Sequence, residues 1–277
     1  MGIVAIIKEA LRIGRAYKSL WVFGFLAGAG VGFNGGGGGG GDQAGASAAA
    51  AANPGVVALV VGVGIVAVIG LVILKFVSNA ALIEGVKRAR GNAPFTWREG
   101  FREGWAHWGV LLRIALVFLA AFVGSAVLLF GGCYLIGQAF GMPTMLVTAV
   151  VALVIAVPLF VTLHMWQAFA ERIAVLENRR ALDAIGKVRL FLHGRVGQGL
   201  KLVVASFLGV ITVVALGIAV IAPVVLLLRA SAGLWGVLPA VAMGALVVLP
   251  ATFITISMVG VMGSSVWTLG YLTEVER

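Results

Sequence analysis

The chain is poor in charge. Only 11% of its 277 residues are Asp, Glu, Lys or Arg, where soluble domains carry about a quarter, and the 10 acidic residues face 20 basic ones. With 61% apolar residues and a mean hydropathy of +1.12, there is too little polar surface to solvate a water-soluble fold. The single cysteine, Cys133, excludes an intrachain disulfide and any CxxC metal or redox site, and its apolar surroundings suit a buried structural thiol. Histidines number three. His107 and His193 stand alone at the ends of apolar runs. His164 shares a helical face with Glu171, but two ligands are too few for a tetrahedral zinc site, so a structural role is expected for that pair. No Ser-His-Asp or Cys-His spacing is present, and the chain is expected not to be an enzyme and to need no cofactor. The net charge of +10 would suit nucleic acid only if it formed a solvated basic face. Here Lys and Arg cluster at the ends of apolar runs, so no nucleic-acid partner is expected.

What the chain has in abundance is long apolar runs. Six are read at about 19–33, 56–74, 107–130, 144–168, 202–228 and 234–271. They match the roughly 20 residues of a spanning helix and exceed the roughly 10 of a barrel strand, so the predicted class is an all-α, polytopic membrane bundle of about six transmembrane helices. The first run is short. The last is too long for a bilayer core of about 30 Å and is expected to kink at Pro239 or Pro250 and to emerge. A competing reading takes 1–18 as the basic part of a signal peptide cleaved near Ala46-Ser47-Ala48; the segment is read here as the first span.

Six spans put both termini on one side, and of the 20 basic residues only Arg229 then falls on the other. The positive-inside rule predicts that both termini lie in the cytoplasm. Trp21, Trp105, Trp108, Trp166 and Trp267 near the basic ends, with Tyr134 and Trp235 near the outer ends, form the matching aromatic belt. The outer loop 34–55 holds seven consecutive glycines, Gly35 to Gly41. Asp42-Gln43 follows where a phosphate loop would need Lys-Ser or Lys-Thr, so a flexible linker is expected.

A charged amphipathic stretch precedes each odd-numbered span. Ile3, Ile6, Ile7, Ala10, Ile13 and Tyr17 oppose Lys8, Arg12 and Arg15. Trp97, Phe101, Trp105 and Trp108 oppose Arg98 and Arg102 behind a Thr96-x-x-Glu99 capping box. Ile185, Val188 and Leu192 oppose Arg180, Asp183 and Lys187. The predicted unit is an interfacial helix followed by a hairpin of two spans, repeated at about 1–79, 80–169 and 170–277 within a single membrane domain covering 1–277.

Leu82-Ile83-Glu84-Gly85, Phe95-Thr96-Trp97-Arg98-Glu99-Gly100, Glu171-Arg172-Ile173-Ala174-Val175-Leu176-Glu177, Ala181-Leu182-Asp183-Ala184-Ile185 and the closing Gly270-Tyr271-Leu272 resemble bacterial six-span proteins related to the membrane domain of glycerophosphodiester phosphodiesterases. The resemblance implies the six-span topology. The soluble catalytic domain that names the group has no counterpart here, so its activity is not carried over.

Two surfaces are expected to matter. Gly24, Gly28 and Gly32 form a small-residue ridge for close packing, within the chain or against a partner. Arg12, Arg15, Arg98, Arg102, Lys187 and Arg189 form a collar for anionic lipid. The expected function is a non-catalytic membrane scaffold or accessory subunit that engages lipids and partner membrane proteins or a second copy. The alternative is a transporter or channel for a small or lipid-like solute; Pro158, Pro223 and Pro250 inside spans favour it, and the absence of central carboxylates from the six runs weakens its ion-coupled forms.

Overall fold

In the computed structural model, which describes residues 3–34, 54–193, 196–235 and 237–275, the chain is all-helical, with no strand among the described residues. The glycine-rich linker, apart from its two ends, lies outside the described residues. Among the described residues eight helices follow in order: α1 (Ile3–Ala16), α2 (Ser19–Asn34), α3 (Pro54–Arg90), α4 (Trp97–Phe140), α5 (Met142–Leu176), α6 (Ala181–Leu192), α7 (Val196–Trp235) and α8 (Val237–Val275). Five stretches are long and apolar enough to cross a membrane: Val61–Arg90, Trp97–Phe140, Met142–Leu176, Gly197–Leu227 and Gly244–Val275. In α2 the corresponding apolar stretch, Ser19–Gly28, is shorter.

Local chemistry explains the breaks between helices. Thr96 caps α4 through the expected box: the Glu99 N–H donates to Thr96 Oγ1 and the Thr96 N–H donates to Glu99 Oε2 at 3.2 Å. The preceding helix ends at Asn92, in the left-handed region at φ 54°, as the Ala93 N–H returns to the Arg88 carbonyl. α5 stops in the same way, with Asn178 at φ 52° and the Arg179 N–H donating to the Ala174 carbonyl. Asparagine tolerates that backbone better than most residues with a Cβ, because its short amide bonds locally.

All eight helices contribute to one buried cluster, centred towards the end that carries the loops around 91–96 and 177–180. Ile6, Ala10 and Ile13 of α1, Leu20 and Phe23 of α2, Leu82 and Val86 of α3, Ile114 of α4, Phe169 and Ile173 of α5, Val188 of α6, Leu202 of α7, and Val261 and Trp267 of α8 belong to it. Away from that end α3 stands apart, while α4 stays paired with α5 and α7 with α8: the Cys133 thiol donates to the Thr148 carbonyl at 3.3 Å, and Gly217 lies against Thr255. Every residue of α3 from 61 to 70 is exposed, on all faces. Leu119, Val123 and Leu128 of α4 and Leu146, Val150 and Val154 of α5 are exposed as well. Apolar surface of this kind is not penalised where the solvent is lipid.

Two details differ from the expected three-fold unit. The second amphipathic stretch is no separate helix, because it runs without a break into the span as the first turns of the 44-residue α4. No proline interrupts it, and Gly100 and Gly104 are held in helix by close packing, with Phe23 and Phe95 against the first and Val77 against the second. The apolar faces of the other two amphipathic helices are covered by protein. α1 lies on α8, α7 and α3, and α6 buries Ala181, Ala184, Val188 and Leu192 against α5 and α4. α2 packs chiefly on α8 and only secondarily on α3, so the chain closes on itself.

Candidate functional site

Buried charge is concentrated in α5. Glu171 is 7% exposed and Arg172 5%. Asn79 of α3 donates to Glu171 Oε2 at 2.9 Å, Gln167 donates to Oε1 at 3.1 Å, and Arg172 donates through one Nη to Oε2 at 3.2 Å and to the Ala168 carbonyl at 2.8 Å. Three donors replace the water the carboxylate lost. The Arg172 Nε–H is buried with no partner among the described residues. A buried pair of this kind costs nearly as much desolvation as it returns in attraction, whereas removing one partner strands the other. His164 stands edge-on to Trp267, with ring centroids 6.1 Å apart, within electrostatic range of Glu171. No group of three His, Cys, Asp or Glu side chains is placed to hold a metal ion among the described residues. The six apolar runs stop short of Glu171, so its burial was missed. The pattern of Gln167 four residues before a carboxylate, inside otherwise apolar helix, was the available signal.

A second carboxylate ties three helices at the same end. Glu177, just past α5, accepts from Lys187 of α6 at 2.7 Å, from Arg179 at 2.9 Å and from the Tyr271 hydroxyl of α8 at 2.6 Å. Partial burial opposes its ionisation, but the hydrogen bonds from Lys187, Tyr271 and Arg179 outweigh it and hold the carboxyl below its usual range. Beneath it, Phe169 meets Trp267 at a right angle with centroids 5.4 Å apart, and Phe191 packs on both Phe169 and Tyr271.

The start of α4 has two differently charged faces. Arg88, at the end of α3, lies 3.4 Å from Glu84, 3.6 Å from Glu99 and 3.7 Å from Glu103, so the carboxylates point towards α3. On the other side Trp97, Phe101 and Trp105 are exposed. Phe101 stacks on Trp105 at 5.9 Å, Trp105 meets Trp108 at 6.1 Å, and the Arg98 guanidinium lies 5.4 Å from the Trp97 ring centre. Arg98, Phe101, Arg102 and Trp105 line a shallow open depression of about 460 Å³.

The six collar residues are not equivalent. Arg12 pairs with Glu9 at 2.6 Å, and Lys187 is held by Glu177. Arg15, Arg98 and Arg189 are exposed, and Arg102, 78% exposed, approaches only Glu103, at 3.9 Å. No family model, curated protein or solved structure matches the chain. Of the glycine ridge, Gly24 and Gly28 lie against the backbone of α8. A methyl on Gly28 would stand 2.6 Å from the Ile256 carbonyl oxygen, and one on Gly24 2.7 Å from a Val261 methyl. Gly260 faces Gly24 in return. The packing of Gly32 lies outside the described residues.

Proposed function

We propose that the chain is a non-catalytic integral membrane protein, a scaffold or accessory subunit of the bacterial cytoplasmic membrane that engages anionic lipids and partner membrane proteins. In this reading it crosses six times, with α2 as a first, short span and both termini in the cytoplasm. The observation that carries the proposal is the polarity of the packing. The helices lock together where the basic and aromatic side chains gather, and beyond that end α3 shows apolar surface all round from 61 to 70. Such surface is what lipid and neighbouring spans meet.

The resemblance to the membrane domain of glycerophosphodiester phosphodiesterases enters this proposal as a shared topology. One observation favours the second reading, a transporter or channel for a small or lipid-like solute: the buried Glu171 and Arg172 pair lies inside a span, where ionisable groups commonly serve transport. Purification of the full chain in mild detergent separates the two. A stoichiometric partner supports the scaffold, whereas a purified chain that moves solute across vesicles without a partner overturns it. Topology is checked by labelling Lys187→Cys and Gly38→Cys in a chain freed of Cys133. Labelling from outside is expected at position 38, and the same result at 187 would reverse the orientation.

A further inference from the structure

We propose that the first turns of α4 form one discrete site for the phosphate of an anionic phospholipid, with Arg98 and Arg102 holding the phosphate and Phe101 and Trp105 receiving the glycerol and upper acyl chains. The site rests on the lipid-binding part of the reading above and sharpens it, from a diffuse basic collar to a single place with a stoichiometry.

Three observations converge on it. The first is the sorting of charge around the helix. Arg88 gathers Glu84, Glu99 and Glu103 on the side facing α3, while Arg98 and Arg102, one turn apart, are exposed, Arg102 reaching Glu103 only at 3.9 Å. Two guanidinium forks at that spacing can each grip one phosphate bidentately, a geometry that the point charge of a lysine ammonium does not offer. The second is the floor of the depression. Phe101 and Trp105 stack on each other and remain exposed, so the site pairs a cationic rim with an apolar wall. A free phosphate would use the rim and leave the rings in water; a phospholipid uses both. The third is depth. At 1.5 Å per residue the helix rises roughly 15 Å from Arg98 to Trp108. That distance covers a headgroup layer of about 5–8 Å and enters the hydrocarbon, where the apolar part of α4 continues. Arg98 and Arg102 each stand roughly 4.5 Å above a ring, Phe101 and Trp105, so rings and arginines alternate down the helix through the headgroup layer. The other collar residues lack this combination. Arg12 and Lys187 are held more closely by carboxylates than Arg102 is, and among the described residues no stacked pair of exposed rings lies beside Arg15 or Arg189.

The test is native mass spectrometry of the full chain released from nanodiscs of phosphatidylcholine containing phosphatidylglycerol. The parent is expected to retain one phosphatidylglycerol in preference to phosphatidylcholine. Arg98→Gln with Arg102→Gln should lower that preference by tenfold or more, at about 1 kcal/mol for each basic residue near the surface. Arg15→Gln with Arg189→Gln should leave it unchanged. Phe101→Ala with Trp105→Ala should weaken phosphatidylglycerol retention while the arginines remain; all these side chains are exposed, and an unchanged thermal melt verifies the fold. Equal losses in the two arginine pairs would overturn the discrete site and leave the diffuse collar standing. No preference for phosphatidylglycerol in the parent would overturn both. Displacement of the lipid by inorganic phosphate at equal concentration would overturn the assignment to a lipid.

Discussion

Tyr271 donates its hydroxyl to Glu177 over 2.6 Å and across 94 residues of chain, fastening α8 to the turn between α5 and α6. Tyr271→Phe keeps the ring among Phe169 and Phe191 and removes only that bond. A hydrogen bond to a charged group is worth about 1.5–3 kcal/mol, so the melting temperature in detergent should fall accordingly. A parent-like melt would mean the contact holds nothing.

The same carboxylate sets an acid limit. Its pKa is lowered in the folded chain, so the stability it contributes is present above the ordinary glutamate range and is lost as pH falls through the folded value. Melting measured down a pH series should decline in that window. Glu177→Gln should be less stable than the parent at neutral pH and flatter below it; parallel curves would assign the acid sensitivity elsewhere.

Gly28→Leu should destabilise the chain by about 1–3 kcal/mol or more, because the new side chain meets the Ile256 carbonyl of α8 rather than a flexible neighbour. Gly62→Leu, at a glycine with nothing near it, is the matched control and should cost far less. The comparison is a thermal melt of both variants, and equal losses would show that the α2–α8 contact is not tight.

Glu171→Gln and Arg172→Gln should each cost about 3–5 kcal/mol, since either leaves an unpaired charge or loses the charge that anchors the cluster. The double change of Glu171→Gln with Arg172→Met removes both charges and should recover much of the loss. Denaturant unfolding of the three variants decides the matter, and simple additivity would refute the coupling.

The long spans, the capping box at Thr96 and the amphipathic stripe of α1 were legible because each depends on residues within a few turns. What covers the stripe was not. Lipid tails and protein side chains are alike apolar, so Ile6, Ala10 and Ile13 carry the same pattern whether they face a leaflet or α8. The spacing of Gly24 and Gly28 announced a close contact without naming its partner, since Ser257 and Gly260 lie near the far end of the chain. Glu171 is the same case: the donor that makes its burial tolerable, Asn79, is 92 residues away. The junction between the second amphipathic stretch and α4 was misread for a different reason. A change from polar to apolar alters what a helix touches but not whether its backbone hydrogen bonds continue.

The contact between Gly24 and Gly260 also sets an order of events during synthesis. α2 is only 16 residues long, and Gly260, on which it leans, follows Gly24 by 236 residues. At roughly 5–20 residues per second, α1 and α2 wait for tens of seconds or less beside the growing chain before α8 arrives. Until then their buried faces are open to other proteins, and a nascent chain halted before Ser257 would leave them without the surface they are shaped to fit.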